Sequence, residues 1–144
     1  MLFTRPCQYA IRALAHLASH RGDQFCRAQE IAQAEEIPGP FLATVLQDLV
    51  RGGLVKSHKG PRGGFCLARP AERITLSQIM EAVGSLSGLS QCAIGLETCS
   101  GDMLCPLHDQ WQEVRQRLMG YLEAVTVADM AAAITKKKTL AARQ

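Results

Sequence analysis

No stretch of this chain approaches the roughly 20 consecutive apolar residues that a membrane-spanning helix needs, so no membrane association is expected. The opening Met-Leu-Phe-Thr-Arg-Pro runs straight into an amphipathic pattern and lacks a signal-peptide layout, which makes a reducing, cytoplasmic setting the expectation. The six cysteines include no tight C-x2–4-C pair of the kind structural zinc sites use. An oxyanion-hole glycine motif is also missing, as is an acidic residue spaced to orient a Cys–His pair. A thiol enzyme with Cys99 or Cys105 as nucleophile and His108 as base is therefore disfavoured, and no small-molecule substrate is expected.

What the chain does have is a concentration of soft ligands. Cys92, Cys99, Cys105 and His108 crowd one stretch among Ser, Gly and Asp residues, whereas Cys7, Cys26 and Cys66 are scattered. Free cysteine ordinarily prefers apolar burial, so three in a polar loop followed by a histidine point to a cofactor. Thiolate and imidazole suit zinc, iron or an iron–sulfur cluster.

Charge is unevenly divided. Residues 1–70 hold nine basic against five acidic residues, residues 71–125 three against seven, and residues 126–144 four against one. Five basic residues and no acid lie between Arg51 and Arg69. A basic first half beside an acidic middle suits a polyanionic partner.

Helical spacing marks Cys7 to Ser19, with Ala10, Ala13, Leu14 and Leu17 inward, and Ala28 to Glu35, with Ile31 and Ala32 inward. Ile37-Pro38-Gly39-Pro40 predicts a turn. A third helix follows, burying Phe41, Leu42, Val45, Leu46, Leu49 and Val50 and stopping at Gly52-Gly53. Leu54–Ser57 and Gly64–Leu67 read as short strands around the basic, glycine-rich tip His58-Lys59-Gly60-Pro61-Arg62-Gly63. Thr75 and Gln78 form a capping-box pattern ahead of Leu76, Ile79, Met80 and Val83. After the cysteines, Trp111, Val114, Leu118, Tyr121 and Val125 make a heptad seam on a helix of roughly 27 Å over residues 108–125, read as a dimer contact. A short helix from Thr126 to Ile134 and a disordered basic tail with Lys136, Lys137 and Lys138 complete the expectation.

Three helices, a Pro/Gly turn before the third and a hairpin with a basic tip give the order of a winged helix-turn-helix. The fold class is mainly α with a small β-hairpin wing and a long dimerisation helix. The divisions are 1–84 for the DNA-binding domain, 85–108 for the cysteine-rich loop, 108–135 for the dimerisation and last helices, and 136–144 for the tail. The third helix leaves Pro40, Thr44 and Gln47 outward, where they can approach base edges in a major groove. Lys59 and Arg62 on the wing suit phosphates or the adjacent minor groove. Gln29, His58 and Gly63 complete the candidate DNA contacts.

The matching pieces run over nearly the whole chain. They are Thr4 with Tyr9-Ala10-Ile11-Arg12-Ala13-Leu14, then Glu30-Ile31-Ala32, then Phe41-Leu42-x-x-Val45-Leu46-x-x-Leu49. The wing segment Gly53-Leu54-Val55-x-Ser57-x-Lys59-Gly60-Pro61-Arg62-Gly63-Gly64-Phe65 is the most specific of them. Leu76-x-x-Ile79-x-x-Ala82-Val83 and the clustered Cys92, Cys99, Cys105 and His108 complete the set. In these the chain resembles the winged-helix transcription regulators that include the iron–sulfur cluster regulator IscR and the nitric-oxide sensor NsrR. The resemblance implies a homodimer on a pseudo-palindromic double-stranded DNA operator, with long helices crossing between subunits.

It further implies that Cys92, Cys99 and Cys105 ligate an iron–sulfur cluster. In the IscR-like pattern the fourth ligand is a histidine three residues after the last cysteine, where His108 stands. In the NsrR-like pattern an acidic residue near the start of the first helix of the other subunit completes the site. Gln8 occupies that position here and is a poor ligand, so His108 is preferred; Cys7, close by, reads as a small buried residue. The interval between Cys92 and Cys99 holds six residues, one more than in the better-known members. A [2Fe–2S] cluster is preferred, with [4Fe–4S] the alternative. The competing readings are a structural zinc on the same four residues, a cluster-free thiol switch, and a metal-free regulator controlled by a partner protein.

Overall fold

The computed structural model describes residues 2–20, 24–96 and 105–143. Its elements are α1 (Arg5–Ala18), α2 (Ala28–Glu35), α3 (Gly39–Arg51), the strands β1 (Val55–His58) and β2 (Gly64–Leu67), α4 (Leu76–Ala82), α5 (Pro106–Ala124) and α6 (Val127–Ala141). This is a winged helix-turn-helix followed by a long and a terminal helix. Among the described residues no helix is long and apolar enough to cross a membrane.

Local chemistry explains where the elements begin. Thr4 caps α1, its hydroxyl accepting the Cys7 N–H. Glu36 ends α2 in the left-handed region at φ 52°, and the buried Ile37 anchors the turn that follows. The Pro/Gly turn is shorter than the sequence suggests, because Gly39 and Pro40 form the first turn of α3. Proline is tolerated there, where its missing N–H has no intrahelical partner to lose.

Leu42, Val45, Leu46 and Leu49 of α3 are buried as expected. Phe41 is not: it is 64% exposed, one position before the buried Leu42 at the edge of the apolar stripe. The main core joins Ala10, Leu14 and Leu17 of α1, Ile31 of α2, the four α3 residues, Leu54 and Val55 beside the hairpin, and Ile79 of α4.

β1 and β2 are antiparallel, with Val55 opposite Leu67 and His58 opposite Gly64. The wing has a third partner. Cys26 exchanges two backbone hydrogen bonds of 2.8 Å with Phe65, fastening β2 to the chain ahead of α2. Gly64 is required at this junction. Its φ is +146°, and a Cβ would lie 2.4 Å from the Cys26 carbonyl oxygen.

The C-terminal half departs from expectation in two respects. α6 continues unbroken to Ala141, so Lys136, Lys137 and Lys138 are helical rather than a disordered tail. The reason lies 103 residues upstream: Glu35 is 8% exposed and needs a counter-charge, and Lys138 Nζ donates to both its carboxylate oxygens at 3.0 Å. α6 also belongs to the main core through Val127. Secondly, the heptad seam of α5 is divided. Val114 and Tyr121 are 53% and 55% exposed, while Trp111, Leu118 and Val125 are half-buried; the fully buried residue is Leu122, outside the seam.

Two capping boxes lock the α5–α6 joint onto α4. Thr75 with Gln78 and Thr126 with Asp129 each bond reciprocally. Between them the Leu76 N–H donates to the Val125 carbonyl and the Val127 N–H to the Ile74 carbonyl, both at 2.8 Å. A second core of Cys7, Leu76, Met80 and Leu122 fills the space beneath.

Candidate functional site

Pro40, Thr44 and Gln47 share the exposed side of α3, opposite its buried leucines. The Thr44 hydroxyl donates back to the Pro40 carbonyl at 3.3 Å. One turn further, Asp48 pairs with Arg51 and offsets its charge. The cations of this surface that enter no ion pair among the described residues are on the wing, where Lys59 and Arg62 are exposed beside His58. A groove of about 660 Å³ separates the two elements, with Gln47 and Arg51 on one wall and His58 and Lys59 on the other. Helix and wing thus form one continuous surface. Gln29 is exposed on α2 and lines a neighbouring groove with Gly39.

Gly63 needs a different role from the one its place in the motif suggests. It is buried, so it offers no surface to a nucleic acid. Its N–H closes the tip on the Gly60 carbonyl at 2.9 Å, and a Cβ there would lie 2.2 Å from the His58 carbonyl oxygen. Two residues that sequence reasoning missed also shape the tip. The Arg27 guanidinium donates to the Pro61 carbonyl at 2.5 Å, and the Phe25 ring stacks on His58 with centroids 5.3 Å apart. Both flank Cys26, whose bridge to Phe65 sequence spacing does not reveal.

The cysteine-rich segment begins beyond α4 with a short 3-10 turn at Ser87–Leu89, held to α1 by a 2.7 Å hydrogen bond between Thr4 and Ser85. Cys92 is half-exposed. Cys105, also half-exposed, is the N-cap of α5, and His108 stands in the first turn with its N–H on the Cys105 carbonyl at 3.0 Å. Cys99 lies outside the described residues. Arg115, two turns into α5, donates to the Gln91 carbonyl at 3.2 Å, drawing the segment beside Cys92 onto the helix. Arg115 also lies over the Trp111 ring. Trp111 Nε1 and Arg115 Nε are buried without an acceptor among the described residues.

Cys7 is a core residue: burial pushes its thiol up to about 11, and Leu76, Met80 and Leu122 surround it. Gln8 is exposed and donates to the Phe3 carbonyl. In metal-free protein at pH 8, alkylation should mark Cys92 and Cys105 long before Cys7, whose thiolate fraction is about one in a thousand. Timed quenching and peptide mass spectrometry check the order.

Among the described residues, the group of three metal-capable side chains with donors within 4.8 Å of one another is His16, His20 and Cys26. Cys92, Cys105 and His108 are not members of that group. The His-x3-His spacing at the end of α1 was the available sequence signal, and Cys26 joins it only through tertiary structure.

A family profile described as Rrf2, iron-dependent transcriptional regulator, matches residues 3–133. A "Putative HTH-type transcriptional regulator" of Aquifex aeolicus (strain VF5) is 37% identical over 132 residues, covering 90% of this chain and 91% of the relative. Among solved structures, CymR, the global cysteine regulator of B. subtilis, superposes with a TM-score of 0.72 at 22% identity, covering 90% of this chain and 95% of the other. T. potens IscR superposes with a TM-score of 0.70 at 25% identity, covering 91% and 86%.

Proposed function

The chain belongs to the Rrf2 family of transcriptional regulators, not to an enzyme family, and we propose that it is a homodimer whose affinity for double-stranded DNA is set by an iron–sulfur cluster on Cys92, Cys99, Cys105 and His108. In this reading α3 enters the major groove with Thr44 and Gln47 toward base edges. Lys59 and Arg62 take phosphates on the flank, while Gly63 and Arg27 hold the tip in shape.

The observation that carries the regulatory part is the place of Cys105. It caps the helix whose Leu107, Val114 and Tyr121, seven residues apart, are each about half exposed and form an apolar stripe. A ligand at that cap couples the cysteine loop to the dimer seam. The donor set fits the cofactor: three thiols and an imidazole supply four ligands. The buried N–H groups of Trp111 and Arg115, without an acceptor among the described residues, are donors suited to sulfur.

When bound, the cluster supplies an iron centre that responds to oxidation, ligand exchange or cluster supply; [2Fe–2S] is preferred. The chain's own part is mechanical. Cys92 follows α4 and Cys105 begins α5, so ligation fixes the span of residues 92–105. α4 packs on α5 through Leu76, Met80 and Leu122, and a small rotation there would shift one recognition helix against its mate.

The test is anaerobic purification with iron, sulfide and zinc assays and a visible spectrum. A coloured protein whose absorption disappears in Cys99→Ala supports the reading. A colourless protein holding zinc would make the loop structural, and one with neither metal would favour a thiol switch.

A further inference from the structure

We propose that His16, His20 and Cys26 form a second metal site, for zinc or a similar divalent transition ion, at the end of α1 remote from the cysteine loop. His16 and His20 are one helical turn apart, with ring centroids 4.8 Å apart and planes tilted by 35°. One nitrogen from each ring and the Cys26 sulfur lie within 4.8 Å of one another. Zinc bonds of about 2.0–2.3 Å place tetrahedral donors roughly 3.5 Å apart, so closure requires a movement of about 1 Å.

The surroundings fix which nitrogens are available. His20 Nδ1 lies 2.9 Å from the His16 carbonyl oxygen, which can only accept, so that nitrogen carries the proton. His16 Nδ1 lies 3.2 Å from Glu35 Oε1, which favours the same tautomer. Both rings therefore offer Nε2, and both hold the outer partners, a carbonyl and a carboxylate, that metal-binding histidines ordinarily have. Lys138 also donates to both Glu35 oxygens and offsets the carboxylate charge.

Cys26 is held as firmly. It is 2% exposed, and its backbone is tied to Phe65 on both sides. Burial first, then the nearby Glu30, raises its thiol above the ordinary cysteine value. Without an ion it is a neutral thiol. On binding, its proton is released to solvent and the sulfur donates to the ion. Two neutral imidazoles and one thiolate leave a divalent ion with one net positive charge and a fourth position for water. Because Cys26 also holds β2, occupancy would brace the base of the wing.

The test uses full-length protein with C92S, C99S and C105S, which removes the loop thiols and makes the result independent of the cluster. Stripped of metal, it is titrated with Co²⁺. One equivalent should bind with tetrahedral visible bands and a thiolate-to-cobalt charge-transfer band, and Zn²⁺ should displace it. Adding Cys26→Ser should remove the charge-transfer band. His20→Ala, at a half-exposed position, should weaken binding by about 100-fold or more and carries the test if the Cys26 variant fails to fold. Absence of stoichiometric binding, or binding unchanged in a folded His20→Ala protein, would overturn the proposal.

Discussion

Alanine at both Lys59 and Arg62 is expected to lower affinity for duplex DNA selected by the parent protein by about 10²–10³-fold at moderate salt. The two side chains are exposed at the wing tip and enter none of the ion pairs found among the described residues. In a dimer the double substitution removes four cations, so the slope of log affinity against log salt should fall by up to about 3.6. Folding should not change, because the tip is shaped by Gly63, Gly60 and the bond from Arg27 to Pro61. Fluorescence anisotropy at several salt concentrations reads both numbers. Thr44→Ala or Gln47→Ala should behave differently, relaxing discrimination between sequences by about 1–3 kcal/mol with little change in salt slope.

Aspartate at Val114 and Tyr121 should convert the proposed homodimer to a monomer. Both side chains are more than half exposed on the single chain, so neither substitution opens its core. They lie seven residues apart with Leu107 one heptad earlier, on a helix of about 28 Å. Across a two-fold seam the pair would bury four carboxylates without counter-charges, at a cost of several kcal/mol. Sedimentation velocity should show the mass halved. DNA affinity should collapse with it, since one half-site gives only part of the contact.

The N-terminal domain was legible because its determinants are local. The apolar spacing of α1 and α3, the Thr75/Gln78 box and the Gly-rich tip act over a few residues, and each appears where the sequence puts it. The errors arise where a residue's partner is distant. The helical state of Lys138 depends on Glu35, and the clamp on the wing depends on Cys26 meeting Phe65. Phe41 illustrates a related difficulty. It fits the apolar spacing of α3, but a helix stripe has an edge, and only tertiary packing decides which edge residue is covered. Gly63 was legible as part of a motif but not in its role, because a buried backbone position and an exposed contact look alike in sequence. The His16, His20 and Cys26 group went unremarked for the same reason as the clamp: its third member arrives through the fold.

Whether a cluster in the loop sets DNA affinity is decided by measuring one selected DNA fragment against three anaerobic samples. These are cluster-loaded protein, the same protein after cluster removal, and Cys99→Ala. The second and third are expected to bind alike and to differ from the first by at least about tenfold, a coupling near 1.4 kcal/mol, while all three remain dimers. Equal affinity in all three, with iron and sulfide present only in the first, would contradict it.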